Sequence, residues 1–132
     1  MAFKTIFIIE DDLSIRTGLK LLFEGEGYPV LLAKHGQEAL DILEKSSSHR
    51  LGLILLDFMM PVMDGRTFLL ELQRNHPEIL ELIPIFIITA GNKDTHQVTI
   101  KTTGILKKPF DMDELFSVVT RYCGGNINRT GR

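Results

Sequence analysis

One pattern constrains this chain more than any other: short apolar runs alternate with segments of helical period. "IFII" (6–9) precedes a stretch with Ile15, Leu19, Leu22 and Phe23 on one helical face. "VLLA" (30–33) precedes "GQEALDILEK", in which Ala39, Leu40 and Leu43 group together. "LILL" (53–56) leads to "GRTFLLELQRN", with Phe68, Leu69 and Leu72 grouped. "IFII" (85–88) leads to a weakly patterned segment around 93–102. "IL" (105–106) leads to "DMDELFSVVTRYC", where Asp111 and Glu114 read as a capping box and Leu115, Val118, Val119 and Tyr122 form an apolar face. Runs that are apolar throughout suit strands buried on both faces. Strands that alternate with helices suit an α/β fold, a doubly wound parallel sheet of five strands with helices on both faces.

In open sheets of this kind, ligands sit at the carboxyl ends of the strands. Strand one ends in Glu10-Asp11-Asp12, strand three in Asp57, strand four in Thr89-Ala90 and strand five in Lys107-Lys108-Pro109. Each has an ordinary reading alone. A lone Asp after a strand is usually a helix N-cap or turn residue, a lone Thr a turn hydroxyl, a lone Lys a solvated charge. At the ends of four strands together they call for a shared reason. If strands one and three are neighbours, Glu10, Asp11 and Asp57 converge. Two like charges ~4 Å apart at an effective dielectric of ~20 repel by about 4 kcal/mol. A hard divalent cation would offset that, and all-oxygen ligands with space for water suit Mg²⁺. A carboxylate can also accept a phosphoryl group as an acyl phosphate. The Thr89 hydroxyl and the Lys108 ammonium could then hold the remaining phosphoryl oxygens.

Composition narrows the classes. A chain of 132 residues with 44% hydrophobic and 24% charged residues suits one soluble domain. Its 15 basic and 17 acidic residues nearly cancel, so no basic excess points to nucleic acid or an anionic membrane. The single cysteine, Cys123, rules out an internal disulfide and reads as a packing residue. The apolar run at 5–9 is too short for a signal peptide core and is cut off by Glu10-Asp11-Asp12. A cytoplasmic location is expected. His35, His49, His76 and His96 show no metal-ligand spacing and are expected at the surface. No Gly-rich phosphate loop and no serine or cysteine triad pattern is present. The tail "GGNINRTGR" (124–132) has no apolar face and is expected to be disordered.

These residues together resemble the receiver domain of bacterial two-component response regulators. "IIEDDLSIR" (8–16) is similar to the family's acidic turn after strand one. "LILLDFMMPVMDG" (53–65) resembles its phosphoacceptor segment, "FIITA" (86–90) its strand-four Thr-Ala, and "LKKPF" (106–110) its Lys-Pro-Phe turn. The resemblance covers roughly residues 4 to 123, so residues 1–123 are expected to form the domain. It implies a flavodoxin-like strand order 2-1-3-4-5 and Asp57 as acceptor of phosphate from the phosphohistidine of a sensor histidine kinase or histidine phosphotransfer protein. It further implies that Asp11 and Asp57 ligate Mg²⁺ directly, Glu10 through water, and Met59 by its carbonyl. Thr89 and Lys108 would contact the phosphoryl group, and the Lys108–Pro109 bond would be cis, against the trans form that sequence alone favours. The implied role is a switch that controls a partner, limited to self-phosphorylation from a phosphodonor and slow self-dephosphorylation. A phosphorelay shuttle, or a receiver within a larger hybrid kinase or regulator, is the alternative.

Two features depart from the family's pattern. Ile105 stands where an aromatic residue is usual, and the stretch from Thr89 to Lys108 is about one helical turn short. Six β-branched residues within 94–104 also make a poor helix there. Three rivals fare worse. A haloacid-dehalogenase phosphatase needs a second Asp two residues after the nucleophile, and here that residue is Met59. A flavin-binding relative would not carry Glu-Asp-Asp where its phosphate loop belongs. A degenerate receiver would not retain the full acidic set.

Overall fold

The computed structural model describes residues 3–45, 50–90, 100 and 102–125. In chain order these form β1 (Thr5–Ile9), α1 (Leu13–Gly25), β2 (Val30–Ala33), α2 (Gly36–Lys45), β3 (Leu51–Asp57), α3 (Gly65–Asn75), α4 (Pro77–Leu82), β4 (Ile85–Thr89), β5 (Gly104–Lys107) and α5 (Met112–Cys123). The five strands make one sheet in the order β2-β1-β3-β4-β5, every pair parallel. This is the doubly wound, flavodoxin-like arrangement that the sequence and its resemblance led us to expect.

The period-two geometry of a strand sends alternate residues to opposite faces. Phe7, Ile9, Ile54, Leu56, Ile85 and Ile87 meet α2, α3 and α4 on one face, against Ala39, Leu43, Phe68, Leu69, Leu72 and Ile79. Ile6, Ile8, Leu53, Leu55 and Ile88 meet α1 and α5 on the other, against Leu19, Phe23, Leu115 and Val119. β3 is buried along its whole length, which is why "LILL" shows no polar alternation. Its pairing with β1 slips by one residue, Thr5 facing Leu51 and Ile6 facing Leu53. The extra residue, Gly52, puts Leu51 and Leu53 on opposite faces despite their even spacing.

The short helix α4 has no counterpart in the sequence reading. Pro77 occupies its first turn, a position where the missing N–H costs nothing, and Ile79 anchors it. Six residues offer too little periodicity to stand out. The poorly patterned segment before β5 lies largely outside the described residues, although Ile100 is buried in the α2–α3 layer. Of the expected tail, Gly124 and Gly125 are described. Gly124 caps α5 through its N–H to the Thr120 carbonyl and accepts the Tyr28 hydroxyl. Residues 126–132 lie outside the described residues.

Candidate functional site

The site grows from the two central strands. β1 and β3 are neighbours, with Ile9 level with Leu56, so the next residues, Glu10 and Asp57, emerge side by side. The hydrogen-bond ladder continues past each strand end. Glu10 N–H donates to the Ala33 carbonyl at 3.0 Å, Phe58 N–H to Ile88 at 3.1 Å and Lys108 N–H to Thr89 at 2.9 Å. The functional residues therefore sit on backbone that the sheet itself holds.

Asp12 and Asp64 divide the labour with the site carboxylates. Asp12 Oδ1 accepts from Ile15 N–H at 2.9 Å and caps α1; Asp64 Oδ1 accepts from Thr67 N–H at 2.8 Å and caps α3. Glu10 and Asp11 are left for the site. Arg16, one turn into α1, reaches back and donates to the carbonyl oxygens of Glu10 at 2.9 Å and Asp11 at 3.2 Å. Sequence reasoning did not single it out, because a helix arginine is ordinarily a solvated charge; its spacing of six residues from Glu10 was the available signal.

Glu10, Asp11 and Asp57 each offer a carboxylate oxygen, and these atoms all lie within 4.8 Å of one another. Glu10 is fully buried, Asp57 nearly so, and Asp11 is exposed. Lys108 Nζ lies 3.0 Å from Glu10 Oε1 and 3.8 Å from Asp57 Oδ2. The first contact is a close ion pair in a buried place, and Oε1 has no hydrogen bond of regular geometry beside it. Glu10 Oε2 accepts from Asp12 N–H at 3.1 Å. Burial, then hydrogen bonding to the Glu10 and Asp11 carboxyls, then the Glu10 charge push Asp57 up to about 8, against the opposing pull of Lys108. Burial alone would lower Lys108, but the surrounding carboxylates outweigh it and hold the ammonium above its usual range.

Thr89 is buried at the end of β4, level with Lys107 on β5. Met59 is exposed to solvent while its N–H donates to Asp57 Oδ1 at 3.2 Å, so its backbone lies beside the acidic cluster. Phe58 and Met60 are buried beneath. Gly65 makes that path possible: a Cβ there would lie 2.8 Å from Phe58 Cα. The Lys108–Pro109 bond is cis, as the resemblance implied. Ile105 is half exposed on β5. His35 and His76 are partly buried rather than fully at the surface. His35 Nδ1 accepts from Glu38 N–H, and His76 pairs with Glu44 at 3.3 Å. His49 and His96 lie outside the described residues.

A fully buried carboxylate oxygen without a hydrogen bond, amid three converging carboxylates, is a donor set of hard oxygens. It fits a metal ion.

A five-stranded parallel sheet of this order with an acidic cluster at its carboxyl edge defines the class, and the comparisons agree. The chain belongs to the response regulator receiver domain family, whose family model matches residues 6–120. It is 39% identical to sporulation initiation phosphotransferase F of Bacillus subtilis, over 89% of this chain and 91% of that protein. It is 33% identical to sensor kinase CckA of Brucella abortus, over 87% of this chain but 12% of the kinase. It spans about half, 47%, of the response regulator MprA of Mycolicibacterium vanbaalenii. Among solved structures, chemotaxis protein CheY4 of Vibrio cholerae superposes with a TM-score of 0.78 at 28% identity, over 92% of this chain and 99% of that one. The receiver domain of sensor histidine kinase PA1611 from Pseudomonas aeruginosa, solved with a magnesium ion coordinated in its active-site cleft, gives 0.78 at 27% identity, over 94% and 100%. The chain is thus a receiver domain of two-component signalling, in general a non-catalytic signalling module. Among the described residues no helix is long and apolar enough to cross a membrane.

Proposed function

We propose that Asp57 accepts a phosphoryl group from the phosphohistidine of a sensor histidine kinase or histidine phosphotransfer protein. One observation carries this reading: a buried carboxylate stands among two others within 4.8 Å, with an ammonium 3.8 Å away. An Asp57 carboxylate oxygen attacks phosphorus, the phosphorus–nitrogen bond to the donor imidazole breaks, and the imidazole leaves with the bond's electrons. Asp11 and Asp57 would hold Mg²⁺ directly, Glu10 through water, and Met59 by its carbonyl. When bound, the ion would neutralise charge on the transferring group while the attacking Asp57 oxygen lies in line with the leaving imidazole nitrogen. Lys108 and the Thr89 hydroxyl hold the phosphoryl oxygens that remain. Residues 1–123 constitute the receiver, acting in the cytoplasm, and the acyl phosphate is lost slowly by the domain's own hydrolysis.

The test is intact mass measurement after treatment with a small phosphodonor and Mg²⁺. A single added phosphoryl group is expected, abolished by chelator. Labelling that ignores chelator would overturn the Mg²⁺ assignment. A relay role is the second reading. It is favoured by the 39% identity to a phosphotransferase, and phosphoryl transfer onward to a second histidine would distinguish it from a terminal switch.

A further inference from the structure

The loop between β3 and α3 reaches the site with its backbone, and its far end is strained. Met63 N–H donates to the Pro61 carbonyl at 2.7 Å, closing a three-residue turn across Val62. Val62 sits at φ 66°, a region that β-branched residues avoid, and three-residue turns of that sign are rare. Such strain persists only where the surroundings impose it. Val62's own side chain is 80% exposed and cannot supply that constraint. The adjacent residue can. Gly36, the first residue of α2, donates its N–H to the Met63 carbonyl at 3.2 Å. A Cβ on Gly36 would lie 2.8 Å from Met63 Cγ, 2.9 Å from Sδ and 3.0 Å from the carbonyl oxygen.

The geometry points to Gly36 as a positioning residue: α2 clamps Met63, fixes the strained turn and thereby sets where the backbone of 57–59 meets a bound cation. The other end of the loop is fixed independently, by Phe58 N–H on Ile88 and Gly65 N–H on the Phe58 carbonyl at 2.9 Å. Between these ties Met59 has little freedom, and the clamp removes what remains. A small residue needed merely for helix packing would not explain why the neighbouring turn stays strained. The inference rests on the reading of Asp57 and Met59 as ligands.

The test is the Mg²⁺-dependent rise in melting temperature, titrated in the parent, Asp11→Ala, Val62→Gly, Gly36→Ala and Gly36→Ala/Met63→Ala. Glycine at 62 relaxes the turn. The metal-free Val62→Gly protein should be at least as stable as the parent, yet bind Mg²⁺ about tenfold more weakly, the low end for groups acting behind metal ligands. Its Met63 amide should exchange faster without metal. Gly36→Ala should show the same loss, and removing the Met63 side chain in the double variant should recover much of it. Stability rising while affinity falls is a combination that a purely structural role does not produce. If Val62→Gly binds Mg²⁺ like the parent while Asp11→Ala loses its response, the clamp is overturned. If Asp11→Ala and the parent respond alike, the ligand assignment fails and the clamp fails with it. Should Gly36→Ala not fold, Val62→Gly decides alone.

Discussion

Two loops build this site, and they are held in opposite ways. The β1–α1 and β3–α3 loops leave adjacent parallel strands, and each ends in an aspartate that caps the next helix, Asp12 and Asp64. The first is a run of carboxylates, held by the guanidinium of Arg16 and the ammonium of Lys108. The second is apolar, held by the burial of Phe58 and Met60 and the close approach of Gly65. Packing is indifferent to pH and salt, whereas charge is not. The acidic loop should therefore respond to protons and cations while the apolar loop serves as fixed backing. Asp57 stands where they meet, an ionisable residue on the apolar side.

The sharpest way to break this comparison is at that junction. Asp57→Asn keeps the shape and removes the charge. Phosphodonor labelling should vanish, read as the absence of an added phosphoryl mass. The metal-free protein should meanwhile melt higher than the parent at neutral pH, because the fold no longer has to hold a proton on a buried carboxyl that the unfolded chain releases. Labelling equal to the parent would place the acceptor elsewhere.

A second effect, of up to a few kcal/mol, comes from protons. Asp57 has a pKa of about 8 in the fold against 3.8 ordinarily. Between those values the folded protein keeps a proton that the unfolded chain has released. Stability should therefore fall as pH rises from about 4 to about 8, by at most ~1.4 kcal/mol per pH unit. Lys108 is shifted above 10.5 and contributes outside this window. Mg²⁺ should flatten the fall, since a cation bound to the folded state replaces the proton. Melting temperatures across this range with Mg²⁺ or chelator would show it, and a metal-free profile that rises would contradict the assignment.

How much of this was readable beforehand follows the same division. The strands of the core announce themselves, because residues such as Leu53 to Leu56 are apolar without interruption. Asp57, Glu10, Thr89 and Lys108 were legible as strand-end polar residues, since topology alone brings strand ends together. What escaped was whatever depends on contact between distant elements. Gly36 against Met63 is one case, and the bulge at Gly52, which swaps the faces of Leu51 and Leu53, is another. Arg16 escaped because its partners are backbone carbonyls, which its spacing from Glu10 alone marks only weakly.

Arg16 offers a gentler perturbation of the acidic loop. Arg16→Ala removes two charge-assisted hydrogen bonds to the Glu10 and Asp11 carbonyls. Being partly exposed, they should be worth about 1 kcal/mol of stability together. The Mg²⁺-induced rise in melting temperature should shrink, because Asp11 loses its tether. Arg16→Lys should recover the charge but not both bonds, and so should restore less than half of the response. A full Mg²⁺ response in Arg16→Ala would show that the strand end alone positions Asp11.

The smallest expected effect tests the apolar loop as a source of slow turnover. Hydrolysis of an acyl phosphate on Asp57 needs a water aligned behind phosphorus, on the side away from the carboxylate oxygen. The Met59 side chain, two residues on, is 59% exposed while its N–H is tied to Asp57 Oδ1. That places it on the solvent side of the Asp57 carboxylate. A thioether is a weak acceptor and no donor, so it does little to orient a water, and its bulk obstructs the approach. Met59→Asn supplies both a donor and an acceptor at that place and leaves the backbone carbonyl, and hence the proposed cation ligand, unchanged. Dephosphorylation should speed up by roughly threefold to tenfold, about the effect of one net hydrogen bond. Labelling efficiency at short times should be unaffected. The decay of the added phosphoryl mass after removal of the donor measures this directly. A rate equal to or below the parent's would mean that Met59 does not border the water's path. The apolar character of this loop would then serve its packing and not the lifetime of the signal.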